Sequence, residues 1–201
     1  MQTNKVGVVG AGAMGAGIAQ IASQAGHQVI LYDLSQSTLD ESASKLAKIM
    51  SRLVEKKRIT IEESHEIQGR IVRSTQIDLF EGCDLVVEAV VENLDVKHSV
   101  FKQLENIVSS DCIVASNTSS LSITSLAAGC NHPERVVGLH FFNPAPLMPL
   151  VEIVPAIQTS EDTPLHLVSL MKSWGKSPVI AKDSPGFIVN RVARPFYGEA
   201  L

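Results

Sequence analysis

Apolar positions along this chain fall into short runs separated by longer periodic stretches. Lys5 to Val9 is an apolar run that leads into glycines, Ala16 to Gln24 reads as a small-residue helix that stops near Gly26, and Gln28 to Tyr32 is apolar again and ends at Asp33. Strand, tight turn, helix and strand in that order predict a right-handed βαβ unit. A parallel pair needs a crossover of about a dozen residues or more, and the intervening stretch supplies one.

From Ser37 onward, Leu39, Ala43, Leu46, Met50 and Leu53 recur at helical spacing and predict a long amphipathic helix ending in Glu55-Lys56-Lys57-Arg58. With a second helix over Ile61 to Gln68 it would form a helical pair protruding from the sheet. Further strands are predicted at Ile71 to Ser74, Asp84 to Ala89, Cys112 to Ser116, Val136 to Phe142, Leu150 to Val154 and Pro178 to Ala181. Helices are predicted at Asp95 to Val108, Ile123 to Ala128 and Pro164 to Trp174. This alternation implies an α/β fold with a Rossmann-type, doubly wound, mostly parallel sheet. Asp183-Ser184-Pro185-Gly186 reads as a turn, and Phe187 onward as another helix, so the expected division is a domain over 1–184 and a helical start over 185–201.

Composition narrows the function classes. With 45% hydrophobic and 19% charged residues, the 201-residue chain has enough apolar surface for a substantial core. Its 17 basic and 21 acidic residues leave a net charge of −4, which argues against a broad cationic surface for nucleic acid or for an anionic membrane. Cys83, Cys112 and Cys130 are odd in number, lack C-x-x-C spacing and lie in or beside apolar runs, so they read as buried thiols of a reducing compartment. The N-terminal MQTNKVGVVGAG enters the glycine loop without the regions of a signal peptide, and no apolar run approaches about 18 residues. A soluble, cytoplasmic protein is the expectation.

Gly10-Ala11-Gly12-Ala13-Met14-Gly15 matches G-x-G-x-x-G. The first glycine permits the tight turn, the second admits a pyrophosphate against the backbone, and the third lets helix and strand pack closely, with a phosphate meeting the helix N-terminus. By itself the string is a weak signal. The strand before it, the helix after it and Asp33 at the end of the next strand strengthen it, because a carboxylate there can accept hydrogen bonds from ribose hydroxyls. The other reading of Asp33 is a turn or cap residue. Leu34 and Ser35 follow it, with no arginine to hold a 2′-phosphate, so NAD is favoured over NADP.

His140, in Gly138-Leu139-His140-Phe141-Phe142-Asn143-Pro144-Ala145-Pro146, sits at the end of a predicted strand, the edge where open α/β sheets bind ligands. Taking hydride from an alcohol also requires a proton acceptor, and histidine titrates near working pH, at about 6.5 when unperturbed. Glu152 is a lone carboxylate in the apolar run Leu150 to Val154, where an unpaired charge would be costly to bury. Either it pairs with His140 or it lies partly exposed on a solvated face. Ser119 and Ser120 follow an apolar strand, and Asn190 lies in the last helix; each also admits a purely local capping role. No G-x-S-x-G elbow supports a hydrolase using Ser119 with His140, and no cluster such as H-E-x-x-H supports metal catalysis. His27, His65, His98, His132 and His166 are scattered and read as surface or turn residues.

Taken in order, the glycine loop, Ser116-Asn117-Thr118-Ser119-Ser120-Leu121, His140-Phe141-Phe142-Asn143-Pro144, Val151-Glu152 and Gly186-Phe187-Ile188-Val189-Asn190-Arg191 resemble the 3-hydroxyacyl-CoA dehydrogenase family over essentially the whole chain. The resemblance implies an NAD-dependent oxidoreductase acting on 3-hydroxyacyl-CoA or 3-oxoacyl-CoA. His140 would be the general base, Glu152 its orienting carboxylate, and Ser119 and Asn190 hydrogen-bonding groups that position the substrate. Glu92, Lys97, Asn117 and Asn143 fall where the family places cofactor-contacting residues. The helical pair would help to hold coenzyme A through Ser51, Lys56 and Lys57, whose alternative reading is a solvated basic helix end. The family continues into a helical domain that covers the cleft and forms much of a homodimer interface, whereas this chain carries only its first helix. Two other classes stay open: another NAD-dependent 3-hydroxyacid dehydrogenase that uses a lysine, and a non-catalytic dinucleotide-binding homologue or inactive fragment.

Overall fold

The computed structural model describes residues 3–193. Part of the expected final helix, 194–201, lies outside the described residues. Strands β1 (Lys5–Val9), β2 (Gln28–Tyr32), β3 (Ile71–Ser74), β4 (Leu85–Glu88), β5 (Ile113–Ser116), β6 (Val136–Phe141), β7 (Leu150–Pro155) and β8 (Ser177–Ile180) form one sheet in the order β3-β2-β1-β4-β5-β6-β7-β8. The chain builds outward from β1 on one side, returns to β4 and then builds outward on the other. That leaves a topological switch point between β1 and β4, where open α/β sheets bind ligands beyond the strand ends. All neighbouring pairs run parallel except β6 and β7. The link between those two, residues 142–149, is too short for a parallel crossover, so the chain folds straight back.

Helices cover both faces, so the central strands are apolar nearly throughout rather than alternating with polar residues. On one face Val6, Val8, Leu85, Val87, Ile113, Ala115, Val137 and Leu139 pack under α1 (Ala13–Gln24), α2 (Gln36–Glu55), α3 (Ile61–Gly69) and α6 (Asp162–Ser173). On the other, Val86, Val114, Val136 and Val154 pack under α4 (Leu94–Glu105) and α5 (Ile123–Ala127).

The helical pair α2/α3 turns Leu39, Leu46, Met50 and Ile67 into the first core and leaves its outer faces in solvent. Its second helix begins with a reciprocal cap: Thr60 Oγ1 accepts from Glu63 N–H while the Glu63 carboxylate accepts from Thr60 N–H.

Two helices differ by three residues at one end from the sequence expectation. The first helix starts at Ala13 rather than Ala16, because Gly12 already serves as its N-cap and the rest of the glycine motif winds into the first turn. The α4 helix starts at Leu94, where Asn93 Oδ1 accepts from Val96 N–H, and ends at Glu105 rather than Val108. Among the histidines, His27, His98 and His166 are half-buried rather than simple surface residues, and His27 Nε2 accepts from Trp174 Nε1 at 2.8 Å.

Candidate active site

The glycine turn opens onto a cleft of about 520 Å³ at the switch point, bordered by Gly10, Gly12, Tyr32, Asp33, Leu34 and, from the far side, Ala89 and Val90. Gly10 has φ +98°, and a Cβ there would lie 2.7 Å from the Ala89 carbonyl oxygen, so the turn needs glycine both for its conformation and for its contact with the next loop. A Cβ on Gly12 would meet nothing within 4 Å, which leaves open space directly over the N-terminus of α1. No side chain caps that helix and no acidic residue lies in its first turn, so its N–H groups and positive dipole end face the space unopposed by the protein.

Asp33 combines both of its sequence readings. Its Oδ2 accepts from Ala11 N–H at 2.8 Å and its Oδ1 from Ser35 N–H at 2.9 Å, which braces the turn. A carboxylate has about four lone-pair positions, so two remain for a ribose at the cleft edge. These features fit a dinucleotide: an open cradle, a helix N-terminus for the pyrophosphate and an acid without an adjacent cation.

Ala89 and Val90 also border a second cavity of about 400 Å³, which gathers Met14, Glu92, Lys97, Asn117, Ser119, His140, Asn143 and Asn190. Register explains the central pair. In the antiparallel β6/β7 ladder His140 stands directly opposite Glu152, so both side chains project from the same face. His140 Nδ1 lies 2.7 Å from Glu152 Oε2; the histidine is 5% exposed and the glutamate fully buried, which excludes the solvated-face reading of Glu152. A carboxylate on Nδ1 places the ring proton there and leaves Nε2 free to accept another. Phe142 and Phe187 flank the imidazole at centroid distances of 4.5 and 5.8 Å.

The second oxygen of Glu152 accepts from the backbone N–H groups of Ile188 and Val189 at 3.0 and 2.9 Å. One carboxylate therefore fixes the histidine and also anchors the segment that carries Asn190 into the cavity. Asn190 Nδ2 donates to the Ser119 carbonyl at 3.3 Å, and Asn117 Oδ1 accepts from Phe141 N–H at 2.9 Å, tying the ends of β5 and β6 together.

Glu92 lies on the cavity wall. Its Oε1 accepts from the Thr118 and Ser120 hydroxyls and from Ser119 N–H. Burial pushes its carboxyl up, but those hydrogen bonds and the nearby Lys97 outweigh it and hold the group below the ordinary glutamate range.

Glu88, Ser116 and Thr118 complete this network, all almost fully buried, and of the three only Glu88 lies outside the polar motifs of the sequence. Glu88 carried the same signal that singled out Glu152, a carboxylate ending an apolar strand. Ser51, Lys56 and Lys57 are not brought to either cavity. They lie exposed at the distal end of α2, where the Ser51 hydroxyl is 3.4 Å from Glu55. Among the described residues, no helix is long and apolar enough to cross a membrane.

Comparison with known proteins identifies the family and the fold. The family described as 3-hydroxyacyl-CoA dehydrogenase, NAD binding domain, matches residues 5–184. A 3-hydroxyadipyl-CoA dehydrogenase of Escherichia coli K12 is 45% identical over 97% of this chain and 41% of its own length. A probable 3-hydroxybutyryl-CoA dehydrogenase of Deinococcus radiodurans is 44% identical over 98% of this chain and 70% of its own. The crystal structure of a 3-hydroxybutyryl-CoA dehydrogenase from Escherichia coli K12 superposes with a TM-score of 0.97 at 44% identity, over all of this chain and 42% of that one. The chain thus spans less than half of the two Escherichia coli proteins. A glycine cradle at the switch point, a histidine held by a buried glutamate and a family match over nearly the full chain converge: the chain belongs to the 3-hydroxyacyl-CoA dehydrogenase family and comprises its NAD-binding domain.

Proposed function

We propose that this chain provides the cofactor site and the acid-base machinery for interconverting (3S)-3-hydroxyacyl-CoA and 3-oxoacyl-CoA. The observation that carries the reading is the His140–Glu152 pair, with Nδ1 held at 2.7 Å and the rest of the imidazole facing a cavity that shares a wall with the dinucleotide cleft. Gly10, Gly12, Ala13, Met14 and Gly15 cradle the pyrophosphate, and Asp33 takes the ribose of the adenosine. Glu92, Lys97, Asn117 and Asn143 line the nicotinamide end. Bound there, NAD supplies the hydride acceptor.

His140 Nε2 takes the proton of the 3-hydroxyl as the alcohol is oxidised and returns it in the reverse direction. Glu152 keeps the imidazole in one tautomer and holds its orientation. Ser119 and Asn190 hold the reacting oxygen against the histidine, where donors placed in advance act most strongly. Ser51, Lys56 and Lys57, at the tip of the helical pair, offer a hydroxyl and cations to the coenzyme A phosphates. The enzyme works in the cytoplasm, and residues 185 onward begin a helical domain through which longer forms dimerise and close the cleft.

The test is consumption of NADH with acetoacetyl-CoA, by this chain and by a form extended through the length of its Deinococcus relative. Turnover in either supports the reading. Turnover confined to free 3-hydroxy acids, or NAD binding without turnover in both forms, overturns it.

A further inference from the structure

The proposed chemistry leaves one polar network behind the cavity wall unexplained. Glu88, fully buried at the end of β4, accepts from Lys97 Nζ at 2.6 Å and Val90 N–H at 2.7 Å through Oε1, and from the Ser116 hydroxyl at 2.7 Å through Oε2. Lys97 is itself 1% exposed and reaches Glu92 Oε2 at 3.4 Å. A buried ion pair is seldom more stable than apolar side chains of the same size, so stability alone does not account for it. What the network does supply is charge: two carboxylates against one ammonium leave a net −1 at the wall of the cavity. Hydrogen bonding and Lys97 keep Glu92 below the ordinary glutamate range, so at neutral pH the wall carries its anion. An oxidised nicotinamide ring is cationic and a reduced one is neutral.

We infer that Glu88, acting through Lys97 and Glu92, sets the discrimination between oxidised and reduced cofactor. The residual negative charge attracts the cationic ring and has no corresponding hold on the neutral one. Without Glu88, Lys97 would neutralise Glu92 and the attraction would vanish; without Lys97 the fully buried Glu88 would take up a proton and Glu92 alone would keep the −1. Glu88 is in this sense a positioning residue, since it touches neither cofactor nor substrate. The inference rests on reading this cavity as the nicotinamide site.

The experiment is calorimetric titration of the 201-residue chain with NAD and with NADH, in the parent and in Glu88→Gln, Lys97→Met and Glu92→Gln. The ratio of the NAD Kd to the NADH Kd is expected to rise about tenfold in Glu88→Gln and Glu92→Gln and to stay near the parental value in Lys97→Met. Tenfold is what one unit charge exerts across roughly 12 Å at an effective dielectric of about 20. A network that merely braces the wall would weaken both forms together and leave the ratio constant in all three variants, which overturns the inference. Glu92→Gln spares the buried pair, so it decides the question even where circular dichroism shows Glu88→Gln to be unfolded. A parent that binds neither form sinks the proposed function together with this inference, whereas a parent that binds both, with an invariant ratio, sinks this inference alone.

Discussion

Adding one methyl group to the glycine turn at two positions separates folding from binding. At Gly15 a Cβ would sit 1.8 Å from the Gly10 carbonyl oxygen and 3.3 Å from Val8 Cγ1. Carbon and carbonyl oxygen approach to about 3.3 Å at closest, so α1 and the turn would have to separate by roughly 1.5 Å. The Gly10 oxygen is backbone and cannot rotate away. The penalty for Gly15→Ala therefore belongs at or above the upper end of the overpacking range, about 3 kcal/mol.

At Gly12 the same methyl meets nothing within 4 Å, and φ is −64°, which alanine adopts freely. Its stability penalty is the difference between glycine and alanine at an N-cap, under about 1 kcal/mol. The methyl does fill the space assigned to the pyrophosphate. Losing one or two hydrogen bonds to a charged group, at about 1.5–3 kcal/mol, weakens NAD binding by at least about tenfold and up to about a hundredfold.

Urea denaturation followed by circular dichroism reads the first quantity, and calorimetric titration with NAD reads the second. The expected result is a Gly12→Ala protein as stable as its parent with impaired NAD binding, and a Gly15→Ala protein defective in both. Parental affinity in Gly12→Ala would refute the placement of the pyrophosphate. A loss of about 2 kcal/mol or more in that variant would refute the claim that the space is empty in the folded chain.

Two further outcomes follow from the site. Glu152→Gln keeps the shape and the acceptor for Ile188 and Val189 N–H but replaces an anion beside His140 Nδ1 with a neutral amide that also stabilises the opposite tautomer. The kcat for acetoacetyl-CoA reduction should fall by about a hundredfold or more, with NAD affinity within about threefold of the parent; an unchanged rate and pH profile would rule out the orienting role. Asp183 ties the chain after β8 to the start of α5, accepting from Ile123 N–H, Thr124 N–H and the Ser122 hydroxyl. Burial pushes its carboxyl up, but these bonds hold it below the ordinary 3.8. With the folded value depressed, the stabilisation is present above that pH and is lost as pH falls through the folded value. Asp183→Ala should therefore cost about 1 kcal/mol at neutral pH, discounted for partial exposure, and nothing in strong acid, so a thermal-midpoint difference that persists at low pH would contradict the capping role.

Much of this protein was legible along the chain because its determinants are local. Apolar runs of strand length, helical spacing over 37–55 and the glycine turn each follow from which residues are next to which. They placed every strand within about two residues, the usual uncertainty of boundaries. Local signals also marked His140 and Glu152 individually, the first by its place at a strand end and the second as a charge in an apolar run. Glu88, a charge inside the apolar run 84–89, gives the same signal as Glu152, but no histidine or other candidate partner lies beside it in the sequence to mark it.

Tertiary structure alone decided which of these residues meet. Glu88 pairs in register with Ser116, Ser116 with Gly138, and His140 with Glu152. Four polar side chains from four strands consequently share the α4/α5 face of the sheet, the face on which Val86, Val114, Val136 and Val154 also point. Alternation along a strand determines only that a residue faces one side or the other. Which neighbours lie across the ladder is set by strand order and by the short 142–149 link that turns β7 antiparallel, and a shift of one residue would send His140 and Glu152 to opposite faces.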